Sequence, residues 1–136
     1  MLTLRSVLIL IITLCYGIVA HFGPSMSLKL HMFFFAEKPD RPQDLVKGKV
    51  FYDQQNRPNI RVVWKPPNYD GGSAISHYIV EHKTVKTEWS SAANTTVKKT
   101  EYSLQVKKSE TYTVRVTAVN KLGVGEPAVL TVKFTG

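Results

Sequence analysis

Every second residue from Tyr112 to Ala118, within the segment Thr111–Asn120, is apolar, and this alternation constrains the fold more than any other feature of the sequence. A β-strand turns successive side chains to opposite faces, so a period of two directs one set of side chains toward a core. An antiparallel sandwich is the natural way to bury the apolar face of such a strand. The predicted inward set is Tyr112, Val114, Val116 and Ala118, and the outward set is Thr113, Arg115 and Thr117.

Three further segments, at residues 60–65, 77–83 and 102–106, repeat this alternation. Turn residues separate them at roughly ten-residue spacing, and no stretch shows sustained helical periodicity. The sequence therefore predicts an all-β antiparallel sandwich. Its core residues are predicted to be Trp64, Tyr78, Val80, Leu104, Tyr112, Val114 and Val116.

Proline and glycine mark the predicted connections between the strands. Pro66 and Pro67 end the strand at residues 60–65, because proline cannot donate a ladder hydrogen bond. Residues 70–73 (DGGS) predict a turn that uses the freedom of glycine at positive φ. The glycines and proline at residues 123–127 predict a loop, and residues 129–134 predict a closing strand.

The N-terminal 38 residues differ in character from the rest of the chain. Residues 6–20 follow Arg5, contain no charged residue and end at Ala20. Such a run fits the apolar region of a signal peptide, whereas a transmembrane helix needs about 20 residues. We predict a signal peptide at 1–20, a linker or pre-domain segment at 21–38 and one folded domain at 39–136. The alternative is an uncleaved anchor, which would attach the chain to a membrane.

The cysteine content limits the kinds of site in the predicted domain, and the net charge limits the kinds of partner. Cys15 is the only cysteine, so the predicted domain holds neither a disulfide framework nor a thiolate metal site. The net charge of +8 suits acidic partners such as sulfated glycans, and pairs such as Lys98-Lys99 and Lys107-Lys108 are candidates for a basic patch. The simpler interpretation is a well-solvated basic surface. Nucleic acid is disfavoured, because aromatic residues do not interleave with the basic ones.

Four sequence motifs, taken together with their order and spacing, resemble those of a known domain family. They are the proline-led start at residues 39–42, Trp64 with prolines after it, GGSAISHYIVE at 71–81 with Trp89 beyond it, and YTVRVTAVN at 112–120 with GVGEP downstream. With these features the chain resembles a fibronectin type III domain over nearly all of residues 39–136. The resemblance implies an immunoglobulin-like antiparallel β-sandwich of seven strands.

The resemblance also implies a role for Tyr112 as a tyrosine-corner residue, whose hydroxyl ties the preceding turn to the backbone upstream. The family usually has leucine six residues earlier, and proline and glycine between the two. This chain has Val106, Lys108 and Ser109 at those positions, which puts the tightness of the turn in question. The sequence most resembles such domains of immunoglobulin-superfamily neural adhesion molecules. The motif at residues 71–81 is also similar to one in the fibronectin type III repeats of giant muscle proteins.

Residues suited to catalysis do not form a recognisable constellation. His77 and His82 lie five apart on one predicted strand and so point to opposite faces, which argues against a shared metal. Neither a nucleophile elbow nor a glycine-rich phosphate loop occurs. We therefore predict no enzyme activity, no cofactor and no metal.

Two loops and one strand face are the predicted contact regions, because recognition residues concentrate on loops carried by a rigid scaffold. The candidates are Asp70, Gly71, Gly72 and Ser73 in the first loop, Lys121, Leu122, Val124 and Glu126 in the last loop, and outward Arg115. Asn94-Thr95-Thr96 satisfies the N-glycosylation rule in a predicted loop.

The function predicted from the sequence is an extracellular protein-interaction module in cell adhesion or recognition, secreted or associated with the cell surface. Its expected partner is a cell-surface or matrix protein. One alternative is a structural spacer, either a repeat or a fragment of a larger adhesion or muscle-type protein. A second alternative is the binding of heparan-type glycans.

Overall fold

Seven strands in two antiparallel sheets, with a 3-10 helix at Trp89–Ser91, make up the part of the chain that the computed structural model describes, residues 36–136. The strands are β1 (Gln43–Tyr52), β2 (Pro58–Lys65), β3 (His77–Thr84), β4 (Ala93–Val97), β5 (Glu101–Gln105), β6 (Thr111–Asn120) and β7 (Gly123–Lys133). One sheet has the order β1-β2-β5 and the other β4-β3-β6-β7. The all-β sandwich predicted from the sequence is confirmed. The predicted signal peptide lies outside the described residues.

The core lies between the two sheets and contains all seven residues predicted for it. Strand alternation explains this, because β3 and β6 each turn one set of side chains toward the three-stranded sheet. Trp64 and Tyr78 meet edge-to-face across the core, with ring centroids 5.5 Å apart. This arrangement suits the charge distribution of aromatic rings and adds to the burial of apolar surface.

A tyrosine corner closes the connection between β5 and β6. The backbone N–H of Lys107 donates a 2.9 Å hydrogen bond to the hydroxyl of Tyr112, as the family resemblance implied. The chain passes through this turn with Ser109 at φ 63, a left-handed conformation in which glycine is the least strained residue. The turn therefore closes without the usual proline and glycine, but with strain at Ser109.

Replacing Ser109 with glycine is expected to raise the free energy of unfolding by about 0.5 to 1 kcal/mol, because it removes the cost of positive φ at an exposed position. Urea unfolding followed by tryptophan fluorescence measures the change. Lys108→Gly, at the exposed neighbour without positive φ, is the matched control and should lower stability. A lower stability for Ser109→Gly would contradict this account.

The connection between β6 and β7 is shorter than the sequence predicted. Asn120 pairs directly with Gly123, so only Lys121 and Leu122 form the turn. The prediction of a loop from Lys121 to Glu126 was therefore wrong after Leu122. Strand β7 contains Pro127, which lacks a backbone N–H. This is tolerated because β7 lies at the edge of its sheet, where one side of the strand has no partner to bond.

Asn94 lies in the short edge strand β4, not in a loop as predicted. Residues 93–97 adopt an extended conformation because they pair with β3, where Asn94 lies opposite Glu81. The Asn94 side chain is exposed. Within residues 36–136, no helix has the length and hydrophobicity needed to cross a bilayer.

Candidate functional site

The predicted contact residues occupy two separate regions of the sandwich. The first, which we call the loop end, contains the β2–β3 connection at residues 70–73, the β6–β7 turn and the start of β7. The second is the outer face of the four-stranded sheet, where Arg115 lies at the middle of β6. Five residues of extended strand, or about 16 Å, separate Arg115 from Asn120 at the loop end. Strand β7 runs from the first region to the second, because Val124 pairs with Val119 and Val129 pairs with Arg115.

Asn120 organises the loop end from a buried position, with 4% of its surface exposed. Its side-chain amide donates hydrogen bonds to the carbonyl oxygens of Glu37 (2.7 Å) and Asp70 (2.8 Å). Its side-chain oxygen accepts a 2.8 Å hydrogen bond from the backbone N–H of Leu122. One side chain therefore connects the N-terminal segment, the β2–β3 connection and the β6–β7 turn.

Gly71 has a structural position in the loop end, in contrast to its prediction as a contact residue. It is buried with φ 80, and its carbonyl oxygen accepts a 2.8 Å hydrogen bond from the N–H of Glu37. The neighbouring N–H of Asp40 donates to the carbonyl of Tyr69 at 3.1 Å. Contacts of the sandwich thus extend two residues upstream of Pro39, and Gly71 offers no surface to a partner.

The remaining predicted residues of the loop end are accessible to different extents. Gly72, Lys121 and Glu126 are exposed, whereas Asp70 and Ser73 are half-buried. The carboxylate of Asp70 accepts a 2.8 Å hydrogen bond from the N–H of Gly72, which fixes the turn. The apolar side chains Leu122 and Val124 are 41% and 47% exposed.

Arg115 on the outer face is held firmly by its neighbours. Its guanidinium donates two hydrogen bonds to the Glu81 carboxylate, at 2.6 and 2.7 Å, and lies 4.2 Å from the centre of the Trp89 ring. The hydrogen-bonded Glu81 raises the pKa of Arg115 above its ordinary value. Paired and stacked in this way, Arg115 is a positioned side chain, with two of its five N–H donors bound to Glu81.

The outer face continues from Arg115 to both edges of the sheet. Along one row of cross-strand pairs, Asn94 lies opposite Glu81, Glu81 opposite Arg115, and Arg115 opposite Val129. Val129 is 58% exposed, the most exposed large apolar side chain of the described residues. The β4 end of this row is polar and the β7 end is apolar.

The lysines proposed for a basic patch lie on different connections. Lys98 and Lys99 follow β4, whereas Lys107 and Lys108 follow β5 beside the tyrosine corner. All four are exposed. The structure does not gather them around one ligand, and glycan binding stays a prediction.

His82 lies between the two sheets, with its Nε2 atom 3.5 Å from the hydroxyl of Tyr102. Burial lowers its pKa from the ordinary value of 6.5. The unfolded chain therefore binds this proton at a higher pH than the folded chain. The contribution to stability is complete above about pH 6.5 and is lost as the pH falls through the folded-state pKa. Within residues 36–136, no group of three or more metal-ligating side chains accompanies it.

We expect the urea midpoint to fall between about pH 7.5 and about pH 5.5, and to fall less in the variant His82→Gln. The comparison isolates the histidine, because other titrating groups contribute equally to both proteins. Equal pH dependence in the two proteins would contradict the assignment of this proton to His82.

Comparison with known proteins places the chain among modules of large proteins. A family model described as "Fibronectin type III domain" matches residues 44–133. Human fast-type myosin-binding protein C is 36% identical over 75 residues, which are 54% of this chain and 7% of that protein. Drosophila melanogaster titin is 35% identical over 106 residues, which are 76% of this chain and 0% of titin to the nearest per cent. The chain spans only a small part of these relatives.

Solved structures agree on the fold. A titin fragment superposes with a TM-score of 0.59 at 26% identity, covering 73% of this chain and 33% of the other. The FN1-FN3 domains of chicken CNTN1 superpose with a TM-score of 0.58 at 19% identity, covering 72% and 31%. At the latter identity the similarity concerns the fold alone. The comparisons therefore establish the family and the fold, and do not choose between the predicted functions.

Proposed function

The chain belongs to the fibronectin type III family, and we propose that it is a non-catalytic module that binds a protein partner at the cell surface or in the extracellular matrix. The fold alone does not determine this function, because one scaffold carries many different sites. The proposal depends on the surface of the sandwich and on the predicted leader.

The observation that carries the proposal is the series of exposed apolar side chains along β7 and in the turn before it. Val124 and Val129 are exposed on β7, a strand held by pairing with β6, and Leu122 is exposed in the β6–β7 turn. Protein interfaces combine an apolar centre with a polar rim, and Lys121 and Glu126 lie beside these residues in the sequence. We call Leu122, Val124 and Val129 the β7 patch. It offers a partner apolar contact area on a rigid support.

The predicted leader at residues 1–20 supports the extracellular part of the proposal. A charged residue, an uncharged apolar run and a small residue at its end are typical of a secretory signal. The same leader would bring Asn94 to the compartment in which N-glycosylation occurs.

Binding of the secreted chain to intact cells tests the β7 patch. We expect the triple variant Leu122→Ser, Val124→Ser, Val129→Ser to lose at least tenfold in affinity, as the loss of about 1.4 kcal/mol or more requires. The control triple Val46→Ser, Tyr52→Ser, Val85→Ser changes equally exposed apolar residues elsewhere. Loss of binding by both triples, or by neither, would contradict the assignment.

A structural spacer is the second candidate function. The similarity to myosin-binding protein C and titin favours it, since the matched segment is a small part of each of those proteins. A spacer in tandem with neighbouring domains would retain its mechanical role in the triple variant of the β7 patch. Longer transcripts that encode further modules after Gly136, in a product without cleavage of the leader, would favour this candidate.

A further inference from the structure

The sequence Asn94-Thr95-Thr96 is the only N-x-[ST] motif of the chain. The structure places it on β4, at the edge of the four-stranded sheet. Asn94 and Thr96 are both exposed. Neither side chain is occupied in the packing of the sandwich, so an attached group at Asn94 would not displace any core residue.

The position of Asn94 within the row of cross-strand pairs determines which surface an attached group would cover. Neighbouring strands lie about 4.8 Å apart, so Asn94 is about 5 Å from Glu81, about 10 Å from Arg115 and about 14 Å from Val129. A bulky group at Asn94 reaches β3 and the Trp89–Arg115 stack first. The β7 patch lies at the far edge.

We infer that Asn94 carries an N-linked glycan, which covers the β4–β3 half of the outer face and leaves the β7 patch as the open surface for the partner. This inference rests on the proposed function, because glycosylation requires entry into the secretory route. It deepens that function by assigning the partner to one half of the sheet.

The modification is a group transfer from a lipid-pyrophosphate-linked oligosaccharide. The side-chain amide nitrogen of Asn94 forms a bond to the anomeric carbon of the first sugar and loses one proton. The bond between that carbon and the pyrophosphate oxygen breaks, and the lipid pyrophosphate leaves with the electron pair.

A glycan at this position also resolves a hazard of the fold. β4 is an edge strand with exposed side chains, and an uncovered edge is a template for pairing with other chains. A bulky hydrophilic group on the strand restricts access to its free edge. The strand contains neither lysine nor proline, the residues that commonly protect an edge.

Translation of the full chain with microsomes tests the acceptor site. We expect a mass increase that peptide-N-glycosidase removes, that Asn94→Gln and Thr96→Ala abolish, and that Thr95→Ala and Thr96→Ser retain. The last two variants keep the motif and control for changes in the strand itself. A second series carries a strong cleavable signal in front of the full chain.

The two series separate this inference from the proposed function. A chain that is protease-protected in microsomes but unmodified overturns the inference and leaves the proposed function standing. A chain that its own leader fails to import, but that is modified behind the added signal, supports the acceptor site and overturns the extracellular proposal.

Thiol labelling tests the coverage of the face. Ile79→Cys lies on β3 beside Thr96, and Val129→Cys lies on β7. Removal of the glycan should raise the labelling rate of the thiol at position 79 several-fold and leave that at position 129 unchanged, with the unsubstituted chain giving the background. Equal rates at position 79 with and without the glycan would overturn the assignment of the covered half.

Discussion

Replacing Asn120 with alanine is expected to lower the free energy of unfolding by about 3 kcal/mol, the result of losing three hydrogen bonds at a buried site. Removal of the amide leaves the carbonyl groups of Glu37 and Asp70 and the N–H of Leu122 without this partner. An unsatisfied buried polar group costs about 1 to 3 kcal/mol, although the exposed turn allows water to reach some of them. Urea unfolding followed by tryptophan fluorescence measures the loss.

Two further variants show whether the hydrogen bonds account for this loss. Asn120→Asp keeps the shape and the acceptor oxygen, but places a carboxylate against two carbonyl groups, so it should destabilise at least as much as alanine. Asn94→Ala, at an exposed asparagine of β4, should change the unfolding free energy by less than about 0.5 kcal/mol in unglycosylated protein. A small effect of Asn120→Ala would mean that the loop end is held by other contacts.

Replacing Gly71 with alanine is expected to lower the free energy of unfolding by about 3 kcal/mol. Its φ of 80 disfavours any side chain, and a Cβ atom there would overlap the carbonyl oxygen of Glu37 and lie 2.8 Å from the amide nitrogen of Asn120. The left-handed conformation costs about 1 kcal/mol, and overpacking against backbone adds about 1 to 3 kcal/mol. Thermal or urea unfolding measures the sum.

Gly72 offers the matched control, because it lies in the same turn with φ 72 but is exposed. Gly72→Ala should cost only about 1 kcal/mol, the price of the backbone conformation alone. The difference between the two variants therefore reports the contact of Gly71 with the N-terminal segment. Equal losses at both positions would show that the contact with Glu37 contributes nothing to stability.

The parts of the fold that could be predicted are those encoded in local alternation. The bounds of β6 follow from the pattern of Thr111–Asn120, and the inward positions of β2, β3 and β5 follow from their period of two. The tyrosine corner at Tyr112 followed from family resemblance. Its closure despite Ser109 depends on a backbone conformation that the sequence pattern does not report.

The loop end could not be predicted, because its contacts join distant parts of the chain. Asn120 ends an alternating strand, and nothing in the neighbouring sequence indicates that it binds Glu37, 83 residues away. The positive φ predicted for the glycines of residues 70–73 is confirmed, with Gly71 at φ 80. Gly71 was also predicted as a contact residue, and its burial against Glu37 could not be read from the turn itself. The glycines and proline at residues 123–127 also led to the wrong prediction of a loop, because an edge strand tolerates these residues.

The outer face could be predicted only in part. Alternation places Arg115 outward, but its bonds to Glu81 and its stacking on Trp89 depend on strand order. Those contacts hold the guanidinium in place and leave the side chain 29% exposed, so the apolar residues of β7 offer a partner more free surface than Arg115 does. Position in the sheet, more than residue type, therefore shifts the proposed contact from the centre of the face to its edge.

Expression of the full chain in secretory cells, followed by N-terminal sequencing of the product, tests the extracellular proposal most directly. We expect a folded product in the medium that begins at His21, after cleavage behind Ala20. A product that stays inside the cell and retains Met1 would contradict it and favour the structural spacer.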